Sequence, residues 1–311
     1  MKPVNWLLLF MIGALAVAPW FWGEDPPKQG PDIAYYLEQP TAMRLVEVMN
    51  LKRNEERRGI VRQALTAANI SFKEEPFTSP TYQGANLIAD VGQGRDILVF
   101  ATHMDRVPEA PGANDNASCV AASIESLKAF SKQPAPENLT VRFLFSDGEE
   151  FGLQGARHHA DVNDLTNYFG VASFEMCGIG DAYGVWDVVG PATKSSLVQA
   201  LLMAGDNLGI YNGTHGAVPR FGSDHLAFSK KGKPAVGVTV LPQADEDKLR
   251  AYVEDPNNPK WLLNFVRPAI FRTYHTSGDG PETIDPAALD MTTRLMIETV
   301  RVVDQMVRQN G

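Results

Sequence analysis

The chain has 311 residues, 44% of them hydrophobic and 21% charged, a balance that supplies a sizeable core and excludes a disordered protein. The formal net charge of −9 excludes the basic surface that nucleic-acid binding requires, so no nucleic-acid partner is expected.

Taken in order, the first break in composition is at the N-terminus. No charged residue stands between Lys2 and Glu24, and Trp6 to Trp22 is almost continuously apolar, long enough to span a bilayer. Residues 1–23 read as a membrane anchor, with a cleaved signal peptide as the rival reading. Ala16 and Ala18 offer a small-x-small pattern, but Pro19 would follow the cut and disfavours it. Trp20 and Trp22 suit an interfacial belt, and Lys2 on the short side places the bulk of the chain outside, periplasmic or extracellular.

Residues 24–40 read as a linker, Pro-, Gly- and Asp-bearing over 24–34. Residues 41–311 read as one domain, with 41–80 a helical lead-in that covers a sheet edge. Met43, Val46, Met49, Ile60 and Leu65 carry the helical pattern. The charged run Lys52 to Arg58 between them reads as a solvated face without function. From Ser71 the pattern changes to short apolar runs at Asn86–Val91, Ile97–Thr102, Thr140–Ser146, Phe169–Phe174 and Ala235–Leu241. Helix-like stretches lie between and after them at Ala117–Phe130, Ser195–Asn207 and Pro286–Gln309. Buried strands alternating with helices predict an α/β fold, a largely parallel sheet covered on both faces.

The chemistry-bearing residues stand where these strands end. The run ILVFAT leads into His103 and Asp105, TVRFLFS into Asp147, Glu149 and Glu150, and FGVASF into Glu175. Ligands of open α/β sheets bind beyond the carboxyl ends of the strands, so these side chains are expected to share a crevice. Asp115 sits in a Gly-Ala-Asn-Asp-Asn loop, and His275 in RTYHTSGD must fold back to join them. Nitrogen and oxygen donors without thiolate suit zinc in an open site, with manganese or cobalt as substitutes. Asp105, two residues past His103, is placed to accept the imidazole's second N–H. The adjacent Glu149 and Glu150 suggest a division of labour, one binding metal and the other moving a proton. The plain alternative for DGEEFGLQG is an acidic turn that opens a helix.

Together, His103-Met-Asp105, PGANDNAS, FSDGEEFGLQGA, Glu175, RFGSDHLAF and YHTSGDGPETID resemble the zinc aminopeptidase family of bacterial leucyl aminopeptidases and aminopeptidases S and Y, over roughly residues 84–309 and in the family's order. The resemblance implies a three-layer α/β/α sandwich with a central mixed, mostly parallel sheet and two zinc ions per chain. It implies that Asp115 bridges the metals, that His103 and Glu175 complete one site and Glu150 and His275 the other, and that Glu149 is the general base. The substrate would be a peptide with a free N-terminus. Asp224 and His225 would support the pocket without ligating. The segment Pro242–Arg272 would either wall the pocket or form a surface excursion.

This chain departs from the family's pattern at two positions, Glu175 where Asp is usual and Cys119 where a small glycine is usual. Cys119 either lies buried beside the metals or pairs with Cys177. Glu175 keeps a rival open, a glutaminyl cyclase with one zinc, since such cyclases resemble this family. A silent peptide-binding ectodomain is the third reading, and it would have lost a ligand or the base. His158 and His159 read as exposed helix residues and His215 as a solvent-facing loop residue.

Overall fold

The computed structural model of the chain describes residues 28–219, 221–254 and 267–310. The segment read as an anchor, 1–23, lies outside the described residues. Among the described residues no helix is long and apolar enough to cross a membrane.

Three short helices lead in: α1 (Ile33–Glu38), α2 (Ala42–Met49) and α3 (Asn54–Ala67). Helix α1 falls inside the stretch read as a linker; Asp32 caps its first turn through Ala34 N–H, and Tyr36 packs into the core. Strands β1 (Lys73–Thr78), β2 (Gln83–Val91), β3 (Asp96–His103), β4 (Leu139–Ser146), β5 (Tyr168–Glu175), β6 (Ala182–Trp186), β7 (Tyr211–Thr214) and β8 (Ala235–Leu241) form one sheet in the order β1-β2-β4-β3-β5-β8-β6-β7. The centre, β4-β3-β5-β8, is parallel, while β1, β2 and the β6–β8 pair are antiparallel. The five apolar runs of the sequence are β2, β3, β4, β5 and β8.

Alternation along β3 divides the core in two. Leu98 and Phe100 face a layer built from α2, α3, α4 (Ser118–Phe130), α6 (Ser196–Leu208) and the C-terminal helix Pro286–Asn310. Val99 and Ala101 face the other side, against α5 (Gln154–Val162) and α7 (His225–Ser229). The molecule is therefore the three-layer α/β/α sandwich with a mixed sheet. The lead-in helices join the first layer through Leu45, Val46, Ile60 and Val61, and do not merely cover a sheet edge.

His159 is fully buried, not exposed, because it has partners remote in sequence. Its Nδ1 is 2.9 Å from Glu75 Oε1 on β1 and its Nε2 is 2.9 Å from the Tyr168 hydroxyl on β5. Its neighbour His158 is half-buried and stacks on Phe77. Burial alone would raise the Glu75 carboxyl, but hydrogen bonds and charge from His159, helped by Asn163 and Asn86, hold it at about 2. A carboxyl depressed on folding contributes stability above its unfolded value of 4.5, which is lost as pH falls toward about 2. Glu75→Gln is therefore expected to be less stable than the parent at pH 7, with the gap shrinking toward pH 3. Urea unfolding at both values reads it, and a gap that grows on acidification would refute this linkage.

Candidate metal centre

The site residues gather at the C-terminal edge of the parallel strands. His103 ends β3 and Glu175 ends β5, while Asp115 lies in the tight turn Ala113–Ala117 that opens α4. Glu149 and Glu150 follow β4 by way of Gly148, whose φ of +73° and the Tyr82 ring, 2.8 Å from where a Cβ would stand, both demand glycine. His275 returns from the far end of the chain with φ +55°, a left-handed conformation that a non-glycine residue adopts only when its surroundings impose it.

The structure gathers all five expected ligands and the expected base. His103 Nε2 is 3.1 Å from Asp115 Oδ1 and 3.3 Å from Glu175 Oε2. His275 Nε2 is 3.3 Å from Asp115 Oδ2 and 3.0 Å from Glu150 Oε2. The two oxygens of Asp115 thus face two different trios, His103–Asp115–Glu175 and Asp115–Glu150–His275. A third grouping, His103–Glu149–Glu150, also meets the distances for holding an ion.

Backbone and side-chain bonds fix these groups from behind. His103 Nδ1–H donates to the Asp105 carbonyl at 3.2 Å, which leaves the Nε2 lone pair toward the carboxylates. The Asp105 carboxylate stands 3.5 Å from that ring nitrogen and has a different main partner: it accepts the N–H groups of Glu149 at 3.0 Å and Glu150 at 3.1 Å. The Ser223 hydroxyl donates to Glu175 and the Ser146 hydroxyl to Asp224. Asp279 accepts from Asn114 N at 2.8 Å and Asp115 N at 3.2 Å. Asp279 and Ser223 lie within the motifs SGDG and GSDH, but nothing in their spacing assigns them a partner.

The electrostatics ask for cations. Burial first, and neighbouring carboxylates after it, push Glu150, Asp224 and Asp279 each up to about 7 and Glu149 well above the carboxylate range. Burial opposes charge on His103 too, but Glu175, Asp105 and Asp115 raise it. Glu150 Oε1 is buried with no hydrogen-bond partner. A dense set of N and O donors with an orphaned carboxylate oxygen fits hard or borderline divalent metals, zinc above all.

Beside the cluster opens a cavity of about 90 Å³. Its apolar wall includes Met176, Val218, Phe221, Leu249, Val253 and Phe271, and His215 also lines it. His215 is buried there and does not face solvent, since its N–H and carbonyl tie it to Val185 and Val188. Of the 242–272 segment, helix α8 (Glu246–Glu254) and residues 270–271 line the pocket, while 255–266, with Trp261, lie outside the described residues.

The peptidase family M28 model matches residues 86–300. Leupeptin-inactivating enzyme 1 of Streptomyces exfoliatus is 30% identical over 238 residues, covering 74% of this chain and 51% of that protein. This chain thus spans about half the length of that curated relative. Among solved structures, BSAP, a zinc aminopeptidase from Bacillus subtilis, superposes with a TM-score of 0.53 at 22% identity, over 71% of this chain and 50% of that one. Porphyromonas gingivalis glutaminyl cyclase superposes with a TM-score of 0.65 at 15% identity, over 86% and 97%. At these identities the structural likeness is one of fold.

Proposed function

The chain belongs to peptidase family M28, and on that footing we propose that it is an exported zinc aminopeptidase that removes the N-terminal residue of a peptide. The observation that carries this reading is Asp115, whose two oxygens each face a separate histidine-and-carboxylate trio. In it, His103, Asp115 and Glu175 hold one zinc, and Asp115, Glu150 and His275 the other. Bound there, zinc would supply Lewis acidity toward the scissile carbonyl and lower the pKa of the attacking water.

Glu149 is the general base. It lines the cavity, and Asp105 anchors its backbone. It takes a proton from the attacking water and returns it to the leaving amine. The substrate's α-amine is held by Glu175 and Glu149, which excludes internal peptide bonds. The apolar wall receives the first side chain, and burial of a leucine-sized group there contributes roughly 2 kcal/mol. The Cys119–Cys177 disulfide suits an oxidising compartment, as does an anchor or signal in residues 1–23.

Zinc counting and a substrate panel test the proposal together. Residues 24–311 are expected to carry about two zinc ions per chain and to cleave aminoacyl-anilides, with activity lost to a chelator and restored by zinc. About one zinc ion, ammonia release from a glutaminyl peptide and no anilide cleavage would instead establish the glutaminyl cyclase, which Glu175 keeps in view.

A further inference from the structure

Helix α3 precedes the family-matched segment, yet two adjacent arginines on it reach the loops of the metal centre. Arg57 is fully buried and donates only to backbone carbonyls. Its Nε bonds Met104 O at 2.5 Å, Nη1 bonds Met49 O at 3.2 Å and Pro111 O at 3.3 Å, and Nη2 bonds Gly112 O at 3.1 Å. Met104 directly follows His103, and Pro111 and Gly112 lead into the Asp115 turn. Gly112 has φ +77°, and a Cβ there would stand 2.9 Å from Arg57 Nη1, so the loop lies closer to the guanidinium than a side chain permits. Arg58 Nη1 donates to Asp147 Oδ2 at 2.5 Å, and Asp147 also accepts from the Tyr82 hydroxyl at 2.7 Å and Ala85 N at 3.2 Å. Asp147 is the residue from which the Gly148–Glu149–Glu150 turn departs.

We propose that Arg57 and Arg58 are positioning residues of the metal centre, Arg57 setting the separation of His103 and Asp115 from behind and Arg58 fixing the turn that presents Glu149 and Glu150. A planar fork with several fixed donors suits this task, since it spans two loops at once where a lysine ammonium is a single point. Burying a guanidinium without a carboxylate contact is costly, and here the outlay serves the two segments whose spacing decides metal geometry. The carboxylates of Asp105, Asp115 and Asp279 lie near enough to raise Arg57 against the lowering effect of burial, so its charge also offsets part of theirs. Asp279 holds the Asp115 turn through its N–H groups, so that turn is fixed from two sides.

The inference rests on the zinc reading, and the test separates the two. Zinc affinity is measured by competition with a chromophoric chelator on parent, Arg57→Lys, Arg57→Met and Arg58→Gln. The assay is run at low temperature, where circular dichroism shows each chain folded, and the metal-free melting temperature is recorded beside it. Arg57→Lys and Arg57→Met are expected to bind zinc about 10- to 100-fold more weakly, the usual effect of removing a group that orients ligands. Arg58→Gln is expected to lower kcat about 10-fold or more with KM little changed. Folded variants with parental zinc affinity and kcat, differing only in melting temperature, would make the arginines braces of the fold and overturn the proposal. If neither Arg57 variant folds, Arg58→Gln decides, because that side chain is partly exposed and its loss is tolerable. A parent that binds no zinc would sink the metal reading itself, and this inference with it.

Discussion

Glu149→Gln is expected to retain both zinc ions and to lose turnover by about 10³-fold or more, the upper part of the range for a positioned acid–base group. The two effects separate because Glu149 belongs to neither trio that shares Asp115. Glutamine keeps its shape, and the backbone N–H that Asp105 holds at 3.0 Å is unaffected. What disappears is the carboxylate of this turn that neither trio uses, whereas Glu150 belongs to the second trio, its Oε2 3.0 Å from His275. The third grouping, His103–Glu149–Glu150, makes the opposite forecast: were Glu149 a ligand, the same variant would lose zinc. Metal content by atomic emission and kcat on an aminoacyl-anilide, from one preparation, distinguish the cases. Parental turnover would remove Glu149 from the mechanism, and depleted zinc would recast it as a ligand.

The candidate site was legible in part because four of its residues follow apolar runs that end as buried parallel strands. His103, the Glu149–Glu150 pair and Glu175 each follow an apolar run that the structure shows as β3, β4 or β5. Strands β1 and β7 were invisible for the reverse reason: Lys-Glu-Glu-Pro-Phe-Thr and Tyr-Asn-Gly-Thr lie toward the sheet's edges, where no face is fully buried and no alternation is required. Buried polar residues were misjudged because what buries them is distant in sequence. His159 needs Glu75 and Tyr168, and Arg57 needs Met104 and Gly112. One signal for Arg57 was present. It stands three, four, seven and eight positions before Ile60, Val61, Ala64 and Leu65, the apolar face of α3. A charged residue on that stripe has either a buried partner or a strained helix, and here the partners are the loops of the site.

The Cys119→Ala/Cys177→Ala variant is expected to melt about 6 °C below the parent. The bond joins residues 58 apart in sequence, and closing a loop of that size removes unfolded-state entropy worth about 4 kcal/mol. With an unfolding entropy of roughly 2.1 cal/mol/K per residue, each kcal/mol moves the midpoint of a chain of this length by about 1.5 °C. The loss should appear in stability and spare the site, because the two segments remain zipped without the sulfurs. Cys177 N donates to Ser118 Oγ at 3.0 Å and Gly178 N to Asn114 Oδ1 at 2.8 Å. Asn116 spans the same gap, donating to Phe174 O at 2.8 Å and accepting from Met176 N at 3.2 Å. Asp115 and Glu175 therefore keep their spacing in the folded variant, and zinc content at 25 °C should match the parent. Both cysteines are fully buried, so a phosphine reductant, which does not strip zinc as a dithiol would, should leave the folded enzyme active and hasten its loss only on heating. A variant that melts with the parent but sheds zinc would invert this account: the bond would then act on the metal centre, and the hydrogen-bonded zipper would be too weak to hold Asp115 and Glu175 by itself.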